Sequence, residues 1–268
     1  MRSRPQPFGT QQVQGNIVKQ KLARDELVVG TFVMEFASSG LARIVAGAGA
    51  DFVVFDMEHS GWSFETVKQQ IANARGAGLM PIVNPRGGHR FAEHELLLDL
   101  GALGIMVPHV ETAEQAAAIV RGTRYPLGGT RGAAFGVAHD GYRAGEVPET
   151  MRTADAQTLV TVKIETGTAV RNIEQIMDVD GIDVAVIGHT DLSLSLGVPL
   201  QLHHPDFVAA VDAVLAACRG RGKTAGCVVA DAEQGRQWIA KGFRMVAYSG
   251  DIWLLGGALK AGIERLRA

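Results

Sequence analysis

Residues 160–196 read VTVKIETGTAVRNIEQIMDVDGIDVAVIGHTDLSLSL, and this stretch predicts the fold. Two short runs rich in β-branched residues, Val160–Ile164 and Val184–Ile187, are typical of buried strands. The segment Thr168–Met177 between them carries apolar residues at helical spacing and predicts one helix. A strand–helix–strand unit joins parallel strands of one sheet, and neighbouring strands lie about 4.8 Å apart. The stretch therefore predicts one repeat of an α/β fold.

The same alternation runs from residue 28 to the C-terminus. Extended runs, each followed by a helical segment, begin near Val28, Phe52, Met80, Gly104, Val160, Val184, Thr224 and Met245. Eight such units in a chain of 268 residues predict a single-domain (β/α)8 barrel. The first strand is not followed by a G-x-G-x-x-G motif, which argues against a dinucleotide-binding open sheet.

The N-terminal segment differs from the rest of the chain. Residues 1–15 are polar and rich in Gln and Pro, which predicts a flexible arm or a lid segment. Asn16–Arg24 is predicted to form a short helix that plugs the bottom of the barrel. We therefore expect an N-terminal arm and helix over residues 1–27 and the barrel domain over residues 28–268.

One long segment, Thr123–Gln157, shows no clear strand or helix pattern. Long irregular segments in compact domains are usually functional or disordered. Arg124, Arg131 and several glycines predict an ordered loop near the mouth of the barrel, or a contact between subunits.

Composition narrows the class of protein. The formal net charge of −2 gives no reason to expect nucleic acid or an anionic membrane as a partner. Only Cys218 and Cys227 occur, so a disulfide framework is excluded and a reduced, cytoplasmic setting fits. No apolar run approaches the roughly 20 residues that span a bilayer.

Polar residues follow the predicted strands at the points where each strand ends. In a (β/α)8 barrel the active site lies at this C-terminal edge of the strands. Five strands contribute such residues: Asp56, Glu58 and His59; Asn84 and Arg86; His109 and Glu111; Lys163 and Glu165; His189 and Asp191.

Two of these residues, Glu165 and Asp191, are candidate metal ligands. They follow strands predicted to be neighbours, and two carboxylates held close together repel each other unless a cation or proton lies between them. Oxygen ligands suit Mg²⁺, Mn²⁺ or Co²⁺ better than a structural zinc ion. Asp56 and Glu58 are expected to support metal-bound water. The alternative is that each acid caps a helix or pairs with a lysine.

His59 is the candidate general base, because imidazole titrates near neutral pH. Asp99, just before the fourth strand, is its candidate orienting partner. Arg86 is expected to stabilise an oxyanion on the substrate. The alternatives are a capping or packing role for His59, a salt bridge for Arg86, and a structural ion pair for Glu58.

Lys163 and the turn at residues 188–190 are assigned to substrate binding. Lys163 lies two residues before Glu165, so both side chains point to the same side of the strand. Lys163 is either a Schiff-base nucleophile or, as we favour, a cation that neutralises Glu165 or Asp191. Backbone N–H groups of Gly188, His189 and Thr190 are expected to bind a substrate carboxylate.

Taken in order, the motifs of this chain resemble those of the HpcH/HpaI aldolase family. The matching pieces span about residues 28–260 and read FDMEHS, PIV with a following Arg, GIMVPHVETAEQA, TRYPLGGTRG, KIET and IGHTDLSLSLG. Each piece alone is a weak signal, whereas the ordered set is highly specific.

The resemblance implies a metal-dependent pyruvate aldolase that cleaves or forms 4-hydroxy-2-oxo acids. It implies a metal held by Glu165 and Asp191, and His59 as the base or its relay. It also implies homo-oligomers, such as hexamers or trimers of dimers, in which the last helix is exchanged between subunits. Two alternatives stay open: a citrate-lyase-like enzyme acting on a CoA thioester, and a barrel that binds a metal–oxo acid complex without turnover.

Three residues depart from the family pattern. Asn84 stands where the family usually has its catalytic arginine, and Arg86 follows two positions later. Lys163 replaces a frequent glutamine, and His189 replaces the usual proline. We expect these changes to affect the identity of the substrate more than the type of reaction.

Overall fold

The sheet of this protein closes on itself. The computed structural model describes residues 15–87, 91–143 and 145–268. The strands within them are β1 Val28–Val33, β2 Phe52–Asp56, β3 Met80–Asn84, β4 Gly104–Val107, β5 Leu159–Ile164, β6 Val184–Ile187, β7 Thr224–Val229 and β8 Met245–Gly250. They pair in parallel and in chain order, and β8 pairs with β1. The predicted (β/α)8 barrel is confirmed.

At least one helix follows every strand and covers the outside of the barrel. The helices of the described residues are α1 Ile17–Leu22, α2 Leu41–Gly47, α3 Phe64–Gly76, α4 Phe91–Asp99, α5 Ala113–Gly122, α6 Val147–Gln157, α7 Gly167–Arg171, α8 Ile173–Asp178, α9 His189–Ser195, α10 Pro205–Gly220, α11 Ala232–Lys241 and α12 Asp251–Arg267. Most strands are buried along their whole length, as expected for a parallel sheet covered on both faces.

The barrel interior is filled by side chains and closed at the bottom by α1. Phe52, Met80 and Met106 belong to the interior cluster, and Val18 and Leu22 of α1 pack against the same cluster. The short helix thus packs against the interior cluster, where the plug is predicted. The predicted polar arm, residues 1–15, lies outside the described residues except at its last position.

Asn16 fixes the plug in place. Its buried side-chain amide donates hydrogen bonds to the carbonyl oxygens of Leu103 (3.1 Å) and Gln157 (2.8 Å). Its side-chain oxygen accepts the N–H of Lys19 and caps α1. A single buried residue thus ties the short helix to the start of β4 and to the chain that enters β5.

Strands β5 and β6 are neighbours, as the opening stretch predicts. Their register pairs Lys163 with Val186 and Ile164 with Ile187. Glu165 and Gly188 therefore leave the sheet side by side at its C-terminal edge. This register places the residues after both strands at one end of the barrel.

The prediction for Thr123–Gln157 is wrong in two respects. The segment contains a 3-10 turn at Ala138–Asp140 and the helix α6. It connects α5 to β5, and because such a connection returns to the N-terminal edge of the sheet, it lies at the bottom of the barrel. The buried Arg131 holds it there, with its guanidinium 2.7 Å from Asp99 and 4.5 Å from the ring centroid of Tyr125.

Two helices near the opening stretch also differ from expectation. The single helix predicted over Thr168–Met177 is broken into α7 and α8 at Asn172. The Asn172 side chain donates to the carbonyl of Glu111 (2.8 Å), which secures the break through a tertiary contact. The seven-residue α9 stands where only a turn is expected, and no side-chain cap marks its start.

The last helix, α12, is anchored at its start and exposed along its length. The buried Asp251 accepts hydrogen bonds from the N–H groups of Met34, Glu35 and Phe36 after β1. Large apolar side chains on the rest of the helix are exposed: Ile252, Trp253, Leu254, Leu255, Leu259, Ile263 and Leu266. In the described part of the chain, neither this helix nor any other is long and apolar enough to cross a membrane.

Candidate active site

Glu165 is the most enclosed acid at the C-terminal edge of the barrel, with its side chain 1% exposed. The backbone N–H of His109 donates to its Oε2 atom (2.9 Å), and the Lys163 ammonium lies 2.6 Å from its Oε1 atom. His109 adopts a left-handed backbone with φ 53°, which directs this N–H toward the carboxylate. A charged carboxylate can be buried here because both oxygens have a compensating partner.

Lys163 lies between two carboxylates. Its ammonium is 3.0 Å from Glu58 Oε2 as well as 2.6 Å from Glu165 Oε1. Burial lowers the pKa of Lys163, but the charges of Glu165 and Glu58 outweigh it and hold that pKa above its ordinary value. Lys163 therefore neutralises Glu165, and its partner on the other side is Glu58.

Glu58 accepts a hydrogen bond from Asn84 as well as from Lys163. Burial raises the pKa of Glu58, but Lys163 and the Asn84 amide more than offset this and hold the pKa below its ordinary value. Asn84 Nδ2 donates to Glu58 (3.0 Å) and to Asp56 (3.2 Å). Asn84 is fully buried, so its side chain organises carboxylates and does not face a substrate.

His59 lies at the rim of this group. Its backbone N–H donates to Asp56 Oδ1 (2.7 Å), and its ring Nε2 lies 3.6 Å from Glu58 Oε2. The ring is 58% exposed, so a substrate can reach it. The structure therefore brings His59 to the acidic group and gives it Glu58 as its nearest acid.

One set of side chains has the spacing of a metal site. Ligand atoms of Glu58, His109 and Glu165 all lie within 4.8 Å of one another. Asp191 is outside this set, although its carboxylate lines the same cavity as Glu165. Carboxylate oxygens and an imidazole nitrogen fit Mg²⁺, Mn²⁺ or Co²⁺, so the donor set is compatible with a divalent ion.

A cavity of about 630 Å³ opens at this end of the barrel. Most of the predicted site residues line it: Asp56, His59, Lys163, Glu165, Gly188, His189, Thr190 and Asp191. The first N–H groups of a helix have no partner within the helix, so those that open α9 are available to an anion. The site thus combines carboxylates, a reachable imidazole and backbone donors in one cavity.

Gly188 permits the close approach of β6 to Glu165. A Cβ atom at this position would lie 2.6 Å from Glu165 Oε1 and 2.7 Å from its Cγ. The next residue, His189, has its Nδ1 atom 3.1 Å from the Val228 carbonyl oxygen. Because a carbonyl oxygen only accepts hydrogen bonds, Nδ1 carries the proton and donates it. Burial lowers the pKa of His189, although the Val228 carbonyl opposes this.

Two predicted catalytic residues lie away from this group. Asp99 ends α4 at the bottom of the barrel and pairs with Arg131 at 2.7 Å, so it does not orient His59. The physical reason is that helices run antiparallel to the strands, which places their C-terminal ends at the opposite edge. Arg86 lies at the correct edge, but its guanidinium donates to the carbonyl of Trp62 (2.5 Å).

His109 has no predicted role, yet the structure places it beside Glu58 and Glu165. Its signal was the position directly after a strand, shared with the residues that were chosen. Its left-handed backbone, which directs the N–H to Glu165, has no signature in a single sequence.

Comparison with known proteins agrees with this geometry. Residues 29–255 match the sequence profile described as HpcH/HpaI aldolase/citrate lyase. The chain belongs to this family. The predicted family and enzyme class, a carbon–carbon lyase, are thereby confirmed.

Individual members of the HpcH/HpaI family are similar over nearly their whole length. The chain is 35% identical to a 2-keto-3-deoxy-L-rhamnonate aldolase of Klebsiella pneumoniae, covering 91% of this chain and 90% of the relative. It is 34% identical to a 4-hydroxy-2-oxo-heptane-1,7-dioate aldolase of Escherichia coli, covering 87% and 88%. The crystal structure of an HpcH/HpaI aldolase from Desulfitobacterium hafniense superposes with a TM-score of 0.89 at 29% identity, covering 93% and 96%.

A Gly188→Ala variant tests the close approach of β6 to Glu165. The added Cβ must push the carboxylate aside, and we expect Mn²⁺ binding to weaken by about 10- to 100-fold. Isothermal titration calorimetry measures this change. Gly47→Ala is the matched control, because a Cβ at Gly47 meets no atom within 4 Å. Equal Mn²⁺ affinity in Gly188→Ala and the wild type would contradict the assignment.

Proposed function

We propose that this protein is a divalent-metal-dependent aldolase that reversibly cleaves 4-hydroxy-2-oxo acids to pyruvate and an aldehyde. The observation that carries the proposal is the arrangement around Glu165. A buried carboxylate, held by a backbone N–H and an ammonium, faces a cavity that also contains a reachable histidine. Cleavage of the C3–C4 bond of a 4-hydroxy-2-oxo acid requires such groups.

Glu165 and Asp191 are the proposed ligands of the ion, which we expect to be Mg²⁺, Mn²⁺ or Co²⁺. Both carboxylates line the cavity that a substrate enters. Glu58 is less suited to this role, since it is not among the residues that line this cavity. When bound, a divalent ion supplies Lewis acidity toward the oxygen atoms of a 2-oxo acid.

His59 is the proposed base. Glu58 lies 3.6 Å from its Nε2 atom and is the acid nearest to the ring. His59 removes the proton from the C4 hydroxyl, the O–H electron pair forms the aldehyde carbonyl, and the C3–C4 bond breaks. The electrons of that bond pass into the enolate of pyruvate, which is then protonated at C3.

The remaining residues bind and balance charge. The N–H groups of His189 and Thr190 are proposed to hold the substrate carboxylate. The N–H of Gly188, predicted to join them, donates instead to the Ile164 carbonyl (3.3 Å). Lys163, charged between its two carboxylates, supplies the positive charge that lines the cavity. Arg86 would have to leave the Trp62 carbonyl to reach an enolate oxygen, so we assign that charge to Lys163.

Metal-dependent and Schiff-base mechanisms are separated by two treatments of the same enzyme. We expect EDTA to abolish pyruvate release from 4-hydroxy-2-oxo acids, and added Mg²⁺, Mn²⁺ or Co²⁺ to restore it. Borohydride with pyruvate should leave the mass of the protein unchanged, because a protonated Lys163 is not a nucleophile. Activity that is indifferent to EDTA, together with a borohydride-trapped adduct at Lys163, would overturn the proposal.

A His59→Ala variant tests the base. General-base catalysis typically contributes about 10²- to 10⁴-fold, so we expect kcat to fall by that amount while Mn²⁺ affinity stays near wild type. Stopped-flow or steady-state pyruvate assays measure kcat. His203→Ala is the control, since His203 is exposed and lies outside the cavity. Unimpaired cleavage by His59→Ala would remove the assignment.

We also propose that the protein assembles as a homo-oligomer, such as a hexamer or trimer of dimers, in which α12 packs on a neighbouring subunit. Apolar residues cover more than one face of α12, including the consecutive exposed run Ile252–Leu255. Large exposed apolar surfaces of this kind mark interfaces between proteins. The N-terminal arm, residues 1–27, and the barrel domain, residues 28–268, remain the proposed domain division.

Light scattering after size-exclusion chromatography tests the assembly. We expect a wild-type oligomer and smaller species for a Leu255→Lys/Leu259→Lys double variant, because two buried charges would oppose the interface. Lys260→Glu is the control on the same helix, where an exposed charge is only exchanged for another. A monomeric wild type would contradict the proposal.

A further inference from the structure

The cavity has one wall of different character from the acidic group. Phe32 and Met34 come from β1 and the residues after it, Val228 from β7, and Trp253 from the first turn of α12. We call these four residues the apolar wall. Met34 and Val228 are partly buried against the interior cluster that contains Phe32, so this side of the cavity is continuous with the hydrophobic core.

Charge in the cavity is unevenly distributed. Among the lining residues that the structure describes, Lys163 is the only lysine or arginine, against the carboxylates of Asp56, Glu165 and Asp191. The ammonium of Lys163 is already paired with two carboxylates. Arg86 is absent from that lining and donates to the Trp62 carbonyl.

These features decide whether the site accepts a substrate that carries a second carboxylate. A carboxylate at the far end of a substrate needs a cation or several hydrogen-bond donors, because an unpaired charge in a partly buried site is costly. The apolar wall offers no cation, and its one polar hydrogen-bond donor is the indole N–H of Trp253. Contact between apolar substrate atoms and the wall, in contrast, stabilises the complex, because it removes apolar surface from water.

We propose that the aldehyde half of the substrate is uncharged and apolar, an alkyl or aryl aldehyde. This inference rests on the proposed aldolase activity and adds the chemical class of its second product. A cavity of about 630 Å³ is larger than pyruvate alone requires, and sites of this size take molecules of drug-like dimensions. The wall therefore selects against the semialdehyde of a dicarboxylic acid.

Two aldehydes with the same skeleton test the proposal in the direction of synthesis. Pyruvate and the Mn²⁺-loaded enzyme are supplied with 4-methylpentanal or with succinic semialdehyde, which places a carboxylate where the former has an isopropyl group. We expect kcat/KM for 4-methylpentanal to exceed that for succinic semialdehyde by at least about tenfold. This ratio corresponds to about 1.4 kcal/mol of selectivity.

An Ala230→Lys variant tests the physical cause. Ala230 is exposed at the rim of the cavity, where a lysine adds the missing cation without entering the core. We expect the ratio to shift toward succinic semialdehyde by at least about fivefold. Ala72→Lys, which adds the same charge on the outer face of α3, is the matched control and should leave the ratio unchanged.

The outcomes distinguish an error in the aldehyde class from an error in the proposed aldolase activity. A wild-type preference for succinic semialdehyde, or equal kcat/KM values, would overturn the inference while supporting the aldolase activity. An unchanged ratio in Ala230→Lys would count against the missing cation as the cause. Product formation from neither these aldehydes nor benzaldehyde, together with no cleavage of 4-hydroxy-2-oxo acids, would overturn the proposed function itself.

Discussion

The active site depends on keeping Glu165 charged although it is buried. A carboxylate in such a place is costly unless its charge is balanced, and Lys163 supplies that balance at 2.6 Å. Removing one partner of such a pair costs about 3–5 kcal/mol, because the other charge is left uncompensated. Lys163 also pairs with Glu58, so its positive charge offsets the repulsion between the two carboxylates. The chain thus supplies its own cation beside the buried carboxylate.

The backbone around Glu165 is arranged to serve this pair. The register of β5 and β6 brings Gly188 beside the carboxylate, where a Cβ atom would lie 2.6 Å from Glu165 Oε1 and force it to shift. On the other side, the left-handed conformation of His109 directs its N–H to the second oxygen. Such a conformation costs free energy in a residue other than glycine, and it persists where the surrounding structure requires it. The position of Glu165 is therefore set by backbone geometry on both neighbouring strands.

The sequence predicted the features that repeat or that lie next to a strand. The barrel follows from an alternation of apolar runs and helical segments. The meeting of Lys163, Glu165 and His59 at one edge follows from their positions at the ends of strands or just after them. Asp99 was misassigned because nearness to a strand along the chain does not say which edge of the barrel a residue occupies. The same error placed Arg131 near the mouth, whereas its buried contacts with Asp99 and Tyr125 lie at the bottom. Tertiary contacts of this kind have no local signal.

The reaction and the substrate are encoded in different parts of the structure. The groups assigned to bond cleavage leave the sheet at strand ends, and their positions follow from barrel geometry that any family member must keep. The apolar wall comes from side chains of β1, β7 and α12, which change without disturbing strand pairing. Trp253 is 56% exposed and lies on the helix proposed to contact a neighbouring subunit. Because the wall includes Trp253 of α12, the proposed assembly would bring a neighbouring subunit to the edge of the proposed aldehyde pocket.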